Sequence, residues 1–141
     1  MRTIIPSSLL RTALLADAAA SGLVGLLQVI AAAWLSRLTN FPQGLVLATG
    51  LFLLAYAALL VFTARSATVA WALIATIIVG NLAWAVACMT LLAIDALTPT
   101  GVGVLFIMLQ VVTVFSFAGL EVAGLRASRD AVVDDGRVVR A

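Results

Sequence analysis

Two carboxylates, Asp17 and Glu121, lie inside long apolar stretches of the chain. An ion at such a position has lost its water and marks a site that needs a partner. Four further polar side chains recur in equally apolar surroundings: Gln28, Tyr56, Asn81 and Gln110. Two readings of the carboxylates compete. Two close acids in a medium of low dielectric cannot both stay ionised, so the pair would form a proton or cation site. In the other reading each acid pairs with Arg11, Arg65 or Arg126 at the membrane boundary, because long arginine side chains reach back over that distance. Arginine pairing is the favoured expectation. In either case Asp17 and Glu121 should lie within reach of each other or of a shared arginine.

The inventory removes much other chemistry. The chain has no His, so imidazole-held haem or zinc and His-based nucleophilic pairs are excluded. The single cysteine, Cys88, allows no intrachain disulfide, CxxC pair or thiolate cage. Cys88 reads as a small packing residue. No residue resembles an activated nucleophile, so no catalytic set, metal or cofactor is expected and the chain does not read as an enzyme. All eight basic residues are Arg, and the net charge of +2 is too small for nucleic-acid binding.

These side chains must be positioned by membrane-spanning elements. Hydrophobic residues make up 65% of the 141 positions and charged ones only 10%. The mean hydropathy is +1.24. A soluble domain carries about 25% charged residues, so neither a soluble nor a disordered class fits. Charges punctuate intervals that each hold the roughly 20 residues needed to cross a bilayer. The expected fold is all-α: a polytopic transmembrane four-helix bundle of up-down topology, with spans at about 12–36, 44–64, 68–93 and 101–125. Runs such as LFLLAYAALLVF do not alternate with period 2, which argues against a barrel. The apolar run after Arg11 continues past Ala18-Ala19-Ala20 to Leu35 and reads as an uncleaved helix rather than a signal peptide.

Turn chemistry separates the spans. Thr39-Asn40-Phe41-Pro42-Gln43-Gly44 and Leu97-Thr98-Pro99-Thr100-Gly101 each offer a Thr or Asn cap and a Pro near the first turn. The spacing of Pro42-x-Gly44 and Pro99-x-Gly101 raises the option of two tandem helical hairpins. Arg2, Arg11, Arg65, Arg126, Arg129, Arg137 and Arg140 fall on one side and Arg37 alone on the other. This asymmetry predicts that both termini are cytoplasmic. The Arg-only basic set with abundant Ala, Leu and Val suggests a GC-rich bacterial genome, and so a bacterial inner membrane protein. Residues 126–141 form a cytoplasmic tail. A hairpin around Asp135-Gly136 is conceivable there, but a lone hairpin is marginal and a frayed tail is expected.

Spacing of three and four gives each span one polar or small stripe. The stripes run through Asp17, Ser21, Gly25 and Gln28; through Thr49, Phe52, Tyr56 and Thr63; through Asn81, Trp84 and Cys88; and through Phe106, Gln110, Thr113, Phe117 and Glu121. They should face one another, since an unpartnered polar group in hydrocarbon costs several kcal/mol. Counting from Arg11 and Arg126 puts Asp17 and Glu121 roughly 8–9 Å inside the cytoplasmic boundary. Gln28 and Gln110 would share an outer layer as interhelical glue, with Tyr56 and Asn81 nearer the midplane and Trp84 in the core. Ser116, Gly119, Ala123 and Ala127 lie opposite Glu121 and would face lipid as a contact for a second copy or another membrane protein.

This pattern resembles small bacterial inner-membrane proteins of four helices. The function expected from it is that of a membrane protein without catalytic machinery, acting as an accessory or assembly subunit or a homo-oligomeric bundle. The alternative is a transporter or channel for protons or a small solute that uses Asp17 and Glu121. A water-accessible cavity between the stripes, with the carboxylates at its end, would favour the alternative; a dry, filled core and a conspicuous apolar flank for a partner would favour the first.

Overall fold

The computed structural model describes residues 2–94, 97–134 and 137–140, with side chains to residue 130. Among the described residues the order is β1 (Thr3–Ile5), α1 (Ser8–Ile30), α2 (Ala32–Thr39), α3 (Gln43–Arg65), β2 (Val69–Ala70), α4 (Trp71–Ala93), α5 (Gly101–Arg126), β3 (Arg129–Asp134) and β4 (Arg137–Arg140). Four helices, α1, α3, α4 and α5, are long and apolar enough to cross a membrane. The protein is a multi-pass helical bundle, as the hydropathy pattern predicts.

The first span differs from the expected 12–36 at both ends. The Ser7 hydroxyl accepts from the Leu10 N–H at 3.1 Å, so α1 starts one turn before Arg11. Arg11 is no boundary. It donates to the Ala64 carbonyl at the last turn of α3, where a cation meets the negative end of the helix dipole. At the other end α1 stops at Ala31 (φ −108°, ψ 23°), and the short α2 continues the chain. Ala32 and Leu35 of α2 are buried with Phe41, Val46 and Ile107.

Pairing of the long helices follows the small residues. A Cβ on Gly25 would meet the Gly50 carbonyl oxygen at 2.9 Å, and one on Gly50 would meet Gln28 Cβ at 2.8 Å. The two glycines therefore let α1 and α3 run backbone to backbone. Gly124 plays the same role between α5 and α1, where an added Cβ would lie 2.6 Å from Leu10 Cα. α1 thus sits against α3 and α5, and α4 sits against α5. The consecutive helices α3 and α4 approach each other less closely than α1 and α3, α1 and α5 or α4 and α5 do.

The two ends of the bundle are tied differently. At one end the connections at 40–42 and 97–100 dock on each other. Asn40, in the left-handed region at φ 61°, ends α2 and donates through Nδ2 to the Thr98 carbonyl at 2.7 Å. The Thr100 hydroxyl caps α5 by accepting from the Gly103 N–H and donates to the Leu38 carbonyl at 2.7 Å. Only Thr100 performs the capping foreseen for these loops. α3 has Pro42 at its cap position and no side-chain cap. Pro42 immediately precedes α3, whereas Pro99 stands one residue further from α5, so the two Pro-x-Gly motifs are out of register.

At the other end the strands form an antiparallel sheet of order β2-β1-β3-β4. The expectation of a frayed tail is corrected here. Val132 pairs with Val139 and Asp134 with Arg137, and Asp135 and Gly136 between them lie outside the described residues. The hairpin is not alone: β1 pairs Ile4 with Asp130 on one edge and with Val69 on the other. Three or more strands packed on a helical bundle escape the marginal stability of a single hairpin. The Ser7 and Ser128 hydroxyls both donate to the Gly124 carbonyl at 2.8 Å, and this links the sheet to α1 and α5.

Two apolar cores result. One lies at the sheet end and contains Leu10, Leu14, Leu60, Ile74, Ile77 and Ala118. The other lies at the loop end and contains Leu35, Phe41, Val46, Ala85, Ile107 and Val111. The polar side chains fall between them.

Candidate functional site

Each long helix contributes to this middle layer. Asp17 is the tenth residue of α1, Asn81 lies halfway along α4, and Tyr56 and Glu121 come from α3 and α5. Asp17, Asn81 and Glu121 are buried, with relative exposures of 1%, 4% and 0%. The inward facing of the polar stripes on α1, α4 and α5 holds.

Asn81 joins the two acids. Its Nδ2 donates to Asp17 Oδ2 at 3.0 Å and to Glu121 Oε2 at 3.2 Å. Its Oδ1 accepts from the Tyr56 hydroxyl at 3.0 Å, and that hydroxyl also lies 3.3 Å from Asp17 Oδ2. Ser21, one turn along α1, donates to Asp17 Oδ1 at 2.9 Å. Glu121 Oε1 is buried and has no hydrogen-bond partner.

Two expectations are corrected by this geometry. Among the described residues neither acid is paired with an arginine; the ion pair there is Arg2 with Asp130, at an exposed site. Arg11 is engaged at Ala64, and Arg65 and Arg126 are exposed. The separation into a boundary layer and a midplane layer also fails. α1 starts at Ser8, so Asp17 lies deeper than a count from Arg11 implies, at the level of Asn81 and Tyr56. Asp17 and Glu121 do come within reach of each other, through Asn81.

Each glutamine makes its own contact between helices. Gln28 is buried where α1 meets α3, 3.4 Å from the Thr49 hydroxyl. Gln110 accepts from the Trp84 indole N–H at 3.4 Å. Trp84 is half-buried; it packs against the loop-end core, as expected, and also lines a cavity.

That cavity has a volume of about 470 Å³. Asp17, Ser21, Tyr56, Asn81 and Gln110 supply its polar wall, and Phe52, Trp84 and Phe106 its aromatic one. Phe52 stacks on Tyr56 with ring centroids 6.2 Å apart and on Trp84 at 5.7 Å. The second stack spans the α3–α4 seam. Phe52, Trp84 and Phe106 were part of the polar stripes but were not among the candidate site residues. The i, i+4 spacing of Phe52 and Tyr56 was the signal that they share a face.

Chemically, the layer carries two formal carboxylates, one amide and one phenol. A buried ionised carboxylate is costly unless it is paired and hydrogen-bonded. Among the described residues no arginine stands with either acid. The face formed by Ser116, Gly119, Ala123 and Ala127 is exposed on the far side of α5, and the space above Gly119 is open. Compared with known proteins, the chain matches no protein family, no curated protein and no solved structure.

Proposed function

We propose that the protein is a small carrier of protons or a small solute in a bacterial inner membrane, with both termini cytoplasmic and Asp17 and Glu121 as its charge site. The observation that carries this reading is the acid pair: two buried carboxylates share one Asn81 amide, meet no arginine among the described residues, and one of them, Asp17, lines a cavity. A dry, filled interior is the expectation attached to an accessory subunit, and the cavity supports the carrier reading instead. The reading is of a non-enzymatic protein, since the acids are bridged to each other rather than set beside a nucleophile. Taking up a proton or a cation neutralises the layer, and releasing it restores the charge, so occupancy and charge are coupled at one depth in the bundle.

Proton flux in liposomes reconstituted with the full chain tests this. The unmodified protein should dissipate an imposed pH gradient, alone or with an added solute. Asp17→Asn and Glu121→Gln should each abolish the flux. An unmodified protein that leaves the gradient intact in both conditions overturns the reading.

A second reading is favoured by a separate observation. Ser116, Gly119, Ala123 and Ala127 are all exposed along one flank of α5. Small residues at this spacing let helices approach closely in lipid. We propose a contact through α5 with a second copy, which is compatible with the carrier reading.

A further inference from the structure

We infer that the cavity binds a hydrophobic organic cation, drawn from the lipid phase through the seam between α3 and α4. The inference rests on the carrier reading and names its substrate class.

The route follows from the packing. Separate apolar cores close the bundle at the sheet end and at the loop end, so the cavity lies between two plugs. An aqueous ion arriving along the bundle axis would have to cross one of them. The cavity wall is drawn from all four long helices, and its weakest side is the α3–α4 seam. There Phe52 is 54% exposed, and Gly80 on α4 lines the cavity with nothing within 4 Å of an added Cβ. A ligand passing this seam comes from acyl chains and must be soluble in them.

The charge follows from the wall. Asp17, with its two oxygens held by Ser21, Tyr56 and Asn81, supplies formal negative charge beside the cavity. Behind it Glu121, outside the cavity wall, is joined to the same network through Asn81 and keeps Oε1 buried without a partner. No arginine neutralises either acid among the described residues. The faces of Phe52, Tyr56, Trp84 and Phe106 attract a cation through their quadrupoles, most strongly where water is excluded. Acid plus aromatic faces select a positive head, and the remaining wall of Ala, Leu and Val suits an apolar body. The volume falls within the roughly 300–1,000 Å³ of ordinary small-ligand sites.

Benzyltrimethylammonium and its neutral carbon isostere, neopentylbenzene, separate charge from shape. The full chain in mild detergent, carrying Trp34→Phe and Trp71→Phe, leaves Trp84 as the sole indole reporter. Benzyltrimethylammonium should change the Trp84 emission saturably, and neopentylbenzene should fail to compete. Asp17→Asn should weaken binding about tenfold or more, and Asp17→Glu should restore most of it. Gly80→Phe, placed in open space, should block binding while leaving the melting temperature unchanged. The inference is overturned by absent or non-saturable binding, by equal competition from the neutral isostere, or by unchanged affinity in both Asp17→Asn and Gly80→Phe. Proton flux is read separately in liposomes: flux without cation binding defeats the substrate class alone. Saturable, charge-selective binding without any flux, with or without the cation, defeats the carrier reading alone.

Discussion

Asp17 and Glu121, from opposite ends of the chain, are bound to the same amide nitrogen of Asn81, at 3.0 and 3.2 Å. One NH₂ group has two hydrogens, and here each is directed at a different acid. Asn81 is therefore the residue that lets two carboxylates from α1 and α5 occupy one buried layer.

Replacing Asn81 by Ala removes the only donor to Glu121 and one donor to Asp17 among the described contacts. Loss of donors to a buried charged acceptor costs about 1–3 kcal/mol, or more. The melting temperature in detergent should fall. Adding Glu121→Gln to Asn81→Ala should recover part of the loss, because the amide is cheaper to leave unpartnered than an acid. Equal melting temperatures for Asn81→Ala and the unmodified chain would mean that the bridge contributes nothing.

Tyr56→Phe keeps the ring and its stack on Phe52 but deletes the hydroxyl that faces Asp17 and Asn81. A destabilisation of about 0.5–1.5 kcal/mol is expected, smaller than for Asn81→Ala. Transport, read in the liposome assay, should slow without a change in folding yield.

Gly124→Ala should destabilise the bundle by about 1–3 kcal/mol, since the new methyl would strike the Leu10 backbone. Gly80→Ala is the contrast: nothing stands within 4 Å, and a helical Gly replaced by Ala should be neutral or slightly stabilising. Thermal unfolding of the two variants side by side checks the pair.

The outward flank of α5 predicts a cross-link. In a Cys88→Ala background, Gly119→Cys should form a dimer with a short bifunctional maleimide in native membranes. The same cysteine placed at Leu23, on the exposed face of α1, should not. Monomer alone at Gly119→Cys, under conditions that label the thiol, would remove the α5 contact.

The arginine asymmetry predicts where the sheet lies. A reporter that fluoresces only in the cytoplasm should be bright when fused after residue 141. One active only outside should be silent there and active when inserted after Gln43. The reverse pattern would invert the bundle.

Much of this was legible in the sequence because lipid leaves few options. The four spans follow from length and hydropathy, and the inward stripes of α1, α4 and α5 follow from spacing alone. Thr100 announces its helix by its type and place. The errors about α1 and the acids share one physical source, the use of arginines as boundaries. Arg11 looks like the edge of a span, yet its side chain reaches the end of α3, so α1 begins a turn earlier at the Ser7 cap. That shift moved Asp17 from the boundary to the level of Asn81 and removed the reason for an arginine partner. The sheet was illegible because three residues at the start, two before α4 and the tail carry no strand signal separately. Their pairing exists only once the bundle has brought them together. The aromatic wall was half legible: Phe52 and Trp84 sat on the right faces, but no local pattern says that α3 and α4 part between them.

The placement of β1 has a consequence for biosynthesis. Its neighbours are β2, at residues 69–70, and β3, at residues 129–134. Chains emerge amino end first. Residues 3–5 must therefore wait, with one edge unmatched, until the ribosome has released residues 129–134. The clasp between β1 and β3 can snap shut only after the four spans between them have been made, which makes it a marker that these spans are inserted.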